Sequence, residues 1–202
     1  MSDSLARRKL ARAAARLGAH ARHALPPLVL FTDDERLPDP LATAGALPRG
    51  SMVVVRSRED RRRAALARAM VDLSRARALI VLVAGDGALA AVCGADGLHL
   101  PEARIREAAH WRARRRSLLI TGSVHSLAAL AKAKLLDAVF LSPVFPTTSH
   151  PGRATLTAVR ANMIARGVRL PVYALGGVEP CNAGLLSGFA GIAAISALDV
   201  QA

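Results

Sequence analysis

Glycine pairs and short hydroxyls are the residues best suited to holding an anion, and this chain carries Gly176-Gly177 and, further on, Ser196. Two glycines let backbone N–H groups approach a phosphate closely, and a hydroxyl completes the cup. Gly-Gly alone reads as a tight turn; the pairing with Ser196 moves the reading to phosphate. Arg56, Arg58 and Ser123 offer a second anion subsite, because guanidinium groups take phosphate oxygens bidentately. For Arg56 and Arg58 a solvated edge in an Arg-rich chain is an equal alternative. His125 lies beside Ser123 in the chain, and the two are the catalytic candidates. The imidazole's ordinary pKa of about 6.5 suits a general acid or base, and a helix-capping or packed histidine is the plainer reading. His99 closes an apolar run and reads as a satisfied core histidine, and Asp137 as a cap. Asp33, Asp34 and Glu35 form an acidic stretch that reads as solvated, since adjacent carboxylates converge on one ion only where a turn folds them inward.

These residues need a scaffold, and the chain supplies a regular one. Short runs of consecutive apolar residues recur at 28–32, 52–56, 79–83, 97–100, 118–121, 138–141, 172–175 and 191–195. Unbroken rather than alternating apolar runs suit strands covered on both faces. Between them lie helical patterns at 61–77, 126–134 (led by Ser126 as N-cap) and 155–166, and Gly50, Gly94, Gly122 and Gly167 mark the returns. Strict alternation of this kind predicts a TIM barrel or an open doubly wound sheet. In either architecture the chemistry lies beyond the carboxyl ends of the strands. Gly176-Gly177 after the seventh strand and Ser196 after the eighth fall where barrels place a phosphate.

The whole chain is 202 residues long, 52% hydrophobic, and carries a net charge of +13. Its mean hydropathy is +0.28 and its pI about 11.5. A chain this apolar can bury a core, which excludes disorder throughout. The basic excess is almost all Arg, and aromatics are 3%, too few for the stacking platforms of a nucleic-acid binder. Cys93 and Cys181 form no CxxC pair, so neither a disulfide framework nor a thiolate metal site is expected, and a reducing cytoplasm is the default. Arg7, Arg8, Lys9, Arg12, Arg16 and Arg22 interrupt every apolar run near the N-terminus, so neither a signal peptide nor a membrane span is expected. Residues 1–25 read as one basic helix capped by Ser4, stopped by Pro26-Pro27, able to plug the barrel bottom; 26–202 read as a single domain. A homo-oligomer stays open.

Several of these stretches together resemble the thiamine-phosphate synthase and thiazole tautomerase family. They are Gly94-Ala95-Asp96-Gly97-Leu98-His99-Leu100, Gly122-Ser123-Val124-His125-Ser126, Ser142-Pro143-Val144-Phe145-Pro146-Thr147, Pro171-Val172-Tyr173-Ala174-Leu175-Gly176-Gly177-Val178 and Gly191-Ile192-Ala193-Ala194-Ile195-Ser196-Ala197. The resemblance implies a compact (β/α)8 TIM barrel, here with an extra N-terminal helix and a very short final one. It implies an enzyme that joins an aminopyrimidine methyl diphosphate to a thiazole phosphate. By position, Gly176, Gly177, Ser196, Thr147 and Ser149 would hold the thiazole phosphate, and Arg56, Arg58 and Ser123 would face the diphosphate. The family's Mg²⁺ is held by an Asp after strand three and a second after strand four. Here those positions are Gly85 and Arg104, the nearest carboxylates are Asp86 and Glu102, and a strand-six Lys is replaced by His150. Arg104 then becomes a candidate for the diphosphate. The tautomerase branch implies a second activity, metal-independent proton transfer on a thiazole carboxylate phosphate, with His125 as base. A non-catalytic phosphometabolite binder is the third reading.

Overall fold

The computed structural model describes residues 3–19, 23–147 and 155–201. Eight parallel strands close on themselves in chain order, with β8 pairing back to β1. They are β1 (Leu28–Phe31), β2 (Met52–Val55), β3 (Ile80–Ala84), β4 (Gly97–Leu100), β5 (Leu119–Val124), β6 (Ala138–Leu141), β7 (Val172–Ala174) and β8 (Gly191–Ala194). The helices are α1 (Asp3–Gly18), α2 (Pro40–Gly45), α3 (Asp60–Arg77), α4 (Gly87–Cys93), α5 (Ala108–Arg114), α6 (Leu127–Lys132) and α7 (Ala158–Arg166). This is the (β/α)8 barrel expected, and its strands sit on the predicted apolar runs.

The runs are continuous because each strand is buried on both faces. Val29, Phe31, Met52, Val54, Leu82, Phe140, Tyr173 and Ala193 fill the barrel interior, while Leu28, Leu30, Val53, Val55, Val81 and Val83 meet the helical layer. Inside, Phe140 stacks on Tyr173 at 5.1 Å and takes the Phe31 ring edge-on at 4.9 Å. Tyr173 donates its hydroxyl proton to the Pro26 carbonyl at 2.7 Å, satisfying the one polar atom this ring carries into the core.

Three local expectations need correction. Helix α1 starts at Asp3 and ends at Gly18, so Ser4 lies within it. A Cβ on Gly18 would stand 2.7 Å from the Pro27 ring; the return of the chain there needs glycine. Nor does α1 plug the barrel bottom. Its buried Leu10, Ala14 and Leu17 join the outer layer, and it packs against β8 and β1. Among the described residues β8 is followed by a three-residue 3-10 turn, Ser196–Leu198, and α1 covers the outer face of β8. Finally, Gly122 is no strand end: β5 continues through Ser123 to Val124. A Cβ on Gly122 would come within 2.7 Å of Leu136, so glycine serves close packing there. Among the described residues no helix is long and apolar enough to cross a membrane.

Candidate functional site

A cavity of about 520 Å³ opens at the carboxyl ends of the strands. Strand alternation aims His99 of β4, then Thr121 and Ser123 of β5 and His125 just beyond it, along the barrel axis. Ser123, His125, Arg56, Thr147, Gly176, Gly177 and Ser196 all line the cavity. Ser149 lies outside the described residues.

The glycine pair sits in the left-handed region, with φ of +87° at Gly176 and +64° at Gly177. A Cβ on Gly177 would stand 2.2 Å from the Pro146 carbonyl oxygen. The loop after β6 therefore crosses directly over the pair, and only glycine fits beneath it. Asn182 fixes the turn, donating to the Gly177 carbonyl at 2.8 Å and accepting from the Glu179 N–H at 2.9 Å. The N–H groups of Gly177, Ser196 and Ala197 have no backbone acceptor among the described residues. They and the Ser196 hydroxyl are among the donors this end of the cavity can offer an anion.

The opposite rim is basic but internally paired. Asp33 accepts from the Arg36 guanidinium at 2.8 Å and also from the Arg56 guanidinium. Burial alone pushes the Asp33 carboxyl up, but the Arg36 guanidinium and the N–H groups of Arg36 and Glu35 outweigh it and hold the group well below the usual carboxylate range. The acidic stretch thus anchors guanidinium groups and is not merely solvated. Arg58 does not reach the cavity; its side chain is 86% exposed and pairs with Glu35 at 2.8 Å. Nor does Arg104 join the wall. Its guanidinium grips Glu107 and donates to the Gly85 carbonyl at 2.7 Å, and this pairing with Glu107 pushes its pKa up.

The carboxylates do not make a magnesium site. Mg²⁺ asks for oxygens converging in an octahedron. Asp86 spends one oxygen capping α4 at the Leu89 N–H, 2.8 Å away, and turns the other toward Arg63 at 3.6 Å. Glu102 accepts from the His125 N–H. Neither lines the cavity, and the described residues contain no cluster of three His, Cys, Asp or Glu able to hold a metal ion. The donor set does not fit Mg²⁺.

His125 places Nδ1 2.8 Å from the Ser142 carbonyl oxygen and 3.1 Å from the Ser142 hydroxyl. In the tautomer that donates from Nδ1 to this carbonyl, the neutral ring leaves Nε2 as acceptor; in the other, the Ser142 hydroxyl donates to Nδ1. His99 is fully buried, with Nδ1 2.9 Å from the Thr121 hydroxyl and Nε2 2.9 Å from the Ser123 hydroxyl. Burial, and then the positive charge of Arg56, push its pKa down to about 3. It is a satisfied core histidine, yet it also lines the cavity, as do Arg36, Ser142 and Glu179, which sequence reasoning missed. Arg36 follows the first strand within an acidic stretch, and only the fold turns it inward.

The family model described as thiamine monophosphate synthase matches residues 28–198. Thiamine-phosphate synthase of Bordetella bronchiseptica is 33% identical over 165 residues, covering 75% of each chain. Among solved structures, thiamine phosphate pyrophosphorylase from Pyrococcus furiosus superposes with a TM-score of 0.68 at 26% identity, covering 84% of this chain and 85% of that one. N-(5'-phosphoribosyl)anthranilate isomerase from Pyrococcus furiosus shares the fold alone, with a TM-score of 0.58 at 13% identity over 84% of this chain and 88% of that one. The strand-end cavity, its glycine turn and these likenesses agree: the chain belongs to the thiamine monophosphate synthase family.

Proposed function

We propose that this chain is a transferase that binds a thiazole phosphate at Gly176, Gly177 and Ser196 and joins it to an aminopyrimidine methyl diphosphate. The cup carries the reading: a left-handed glycine pair and a serine at the ends of β7 and β8, opening on one cavity. Family membership supports the choice of substrates. In the reaction the pyrimidine methylene C–O bond breaks, its electron pair leaves with diphosphate, and the thiazole nitrogen lone pair forms the new C–N bond to that carbon. Arg56 and Ser123 face the departing diphosphate and stabilise its charge. No metal enters the scheme, because the carboxylates at hand are committed elsewhere. The free thiols of Cys93 and Cys181 suit a reducing cytoplasm.

The test is formation of thiamine phosphate from both substrates, with Mg²⁺ and with EDTA. Equal product in EDTA is the expected result. Product only with Mg²⁺ would keep the transferase and overturn the metal-free diphosphate subsite. Absence of product, with thiazole phosphate still bound by calorimetry, would overturn the transferase. Ser196→Ala removes one hydrogen bond to a charged group and is expected to weaken thiazole phosphate binding by about 1.5–3 kcal/mol.

One observation favours a second reading. With Nδ1 donating to the Ser142 carbonyl at 2.8 Å, His125 offers Nε2 as a general base for metal-independent proton transfer on a thiazole carboxylate phosphate. On that reading His125→Asn abolishes turnover of the carboxylate tautomer and leaves its affinity unchanged. A fully active variant would remove His125 from the chemistry.

A further inference from the structure

Thr121, His99 and Ser123 stand in a line that runs from the barrel core to the cavity. The His99 ring is clamped edge-on by Phe31 at 5.1 Å and Phe140 at 5.3 Å. Thr121 Oγ1 lies 2.9 Å from Nδ1, and Ser123 Oγ lies 2.9 Å from Nε2. A neutral imidazole carries one proton and one lone pair, so one hydroxyl must donate to the ring and the other must accept from it. The two polarities have opposite chemistry. If Nε2 accepts from Ser123, serine and histidine form a nucleophile and its base. If Nε2 donates to Ser123, the serine proton is turned outward and the group is a hydrogen-bond donor.

Thr121 decides between them. It is fully buried, and among the described residues its hydroxyl has His99 Nδ1 as its sole partner. Its proton must point at Nδ1 or be left unpaired in the core, which buried hydroxyls avoid. Nδ1 is therefore the acceptor and Nε2 carries the proton. We infer that Thr121, His99 and Ser123 form a one-directional hydrogen-bond relay that fixes Ser123 as a donor into the cavity, aimed at an anionic ligand oxygen. His99 and Thr121 are then positioning residues, and Ser123 is neither nucleophile nor base. Burial and the Arg56 charge keep the ring neutral, the state in which one nitrogen must accept and the other donate. The ligand class, a diphosphate or phosphate oxygen, rests on the function proposed above; the direction of the relay does not.

Long-range ¹H–¹⁵N correlation on the full chain reads the tautomer directly, with the His99 signals assigned by their loss in His99→Gln. The expected pattern is an Nε2–H ring that does not titrate between about pH 7.5 and 5, where an unperturbed histidine would. An Nδ1–H ring, or titration within that range, would overturn the relay. Thr121→Val should release the ring into a mixture of tautomers, and Thr121→Ser should restore the Nε2–H form. Calorimetry with inorganic diphosphate gives the second readout. Ser123→Ala and Thr121→Val should each weaken binding roughly tenfold, and Thr121→Ser should retain it. Full affinity in Thr121→Val would overturn the relay. Absence of diphosphate binding by the unaltered chain would count against the proposed diphosphate subsite alone, with the tautomer still deciding the relay.

Discussion

His99 makes the barrel sensitive to acid. In the folded chain it stays neutral down to a pKa of about 3, whereas in the unfolded chain the imidazole takes a proton near its ordinary value of about 6.5. Between those values the unfolded state binds more protons, so stability rises with pH and is lost as pH falls, by up to about 1.4 kcal/mol per unit. His23, lowered by burial, acts in the same direction. The denaturation midpoint of the unaltered chain should fall between about pH 6.5 and 5, and that of His99→Gln should fall less; parallel curves would clear His99 of the effect. Gly177 is constrained differently. Its φ of +64° and the 2.2 Å approach of the Pro146 oxygen to any Cβ mean that Gly177→Ala must displace the loop after β6. The expected result is roughly tenfold or greater loss of thiazole phosphate affinity with the barrel still folded by circular dichroism; unchanged affinity would take the glycine turn out of the site.

At the scale of elements, α1 forms part of the outer layer over β8 and β1. It buries Leu10 completely and Leu17 to 6% exposure against the outer faces of β8 and β1, and Arg7 donates to the Asp199 carbonyl 192 residues away. Leu10→Ala should therefore cost about 2–5 kcal/mol in denaturant unfolding, whereas Leu5→Ala, at a site 39% exposed, should change stability by less than about 0.5 kcal/mol. Equal effects would mean that α1 is not packed as an integral layer. This role was illegible in the sequence, because Ala14 between Leu10 and Leu17 adds little to an apolar stripe and the docking face comes from the far end of the chain. The strands were legible, since burial on both faces leaves an unbroken apolar run. Gly122 misled because glycine usually marks a turn, whereas here it admits Leu136. That Gly176, Gly177 and Ser196 line the cavity could be read from their places after β7 and β8. The relay through His99 could not, because it is made by contacts across strands, 22 and 24 residues apart.

Across the whole molecule the net charge is +13, and guanidinium groups at the cavity rim are held in ion pairs. At the rim, Asp33 holds Arg36 and Arg56, Glu35 holds Arg58, and Asp34 stands 3.5 Å from Arg62. These pairs keep the guanidinium groups in place while reducing the field at the cavity mouth. The remaining excess acts at longer range, drawing anionic ligands toward the molecule as a whole. Such steering is screened once the Debye length shrinks to about 8–10 Å at ordinary salt, whereas contacts within the cup are screened much less. The two contributions can be separated by comparing thiazole phosphate with its unphosphorylated alcohol in stopped-flow binding. The association rate of the phosphate should fall severalfold between about 10 and 200 mM salt, its dissociation rate should change little, and the alcohol should show no dependence. A salt effect confined to dissociation would place the charge recognition in close contacts within the cavity rather than in the field of the whole protein.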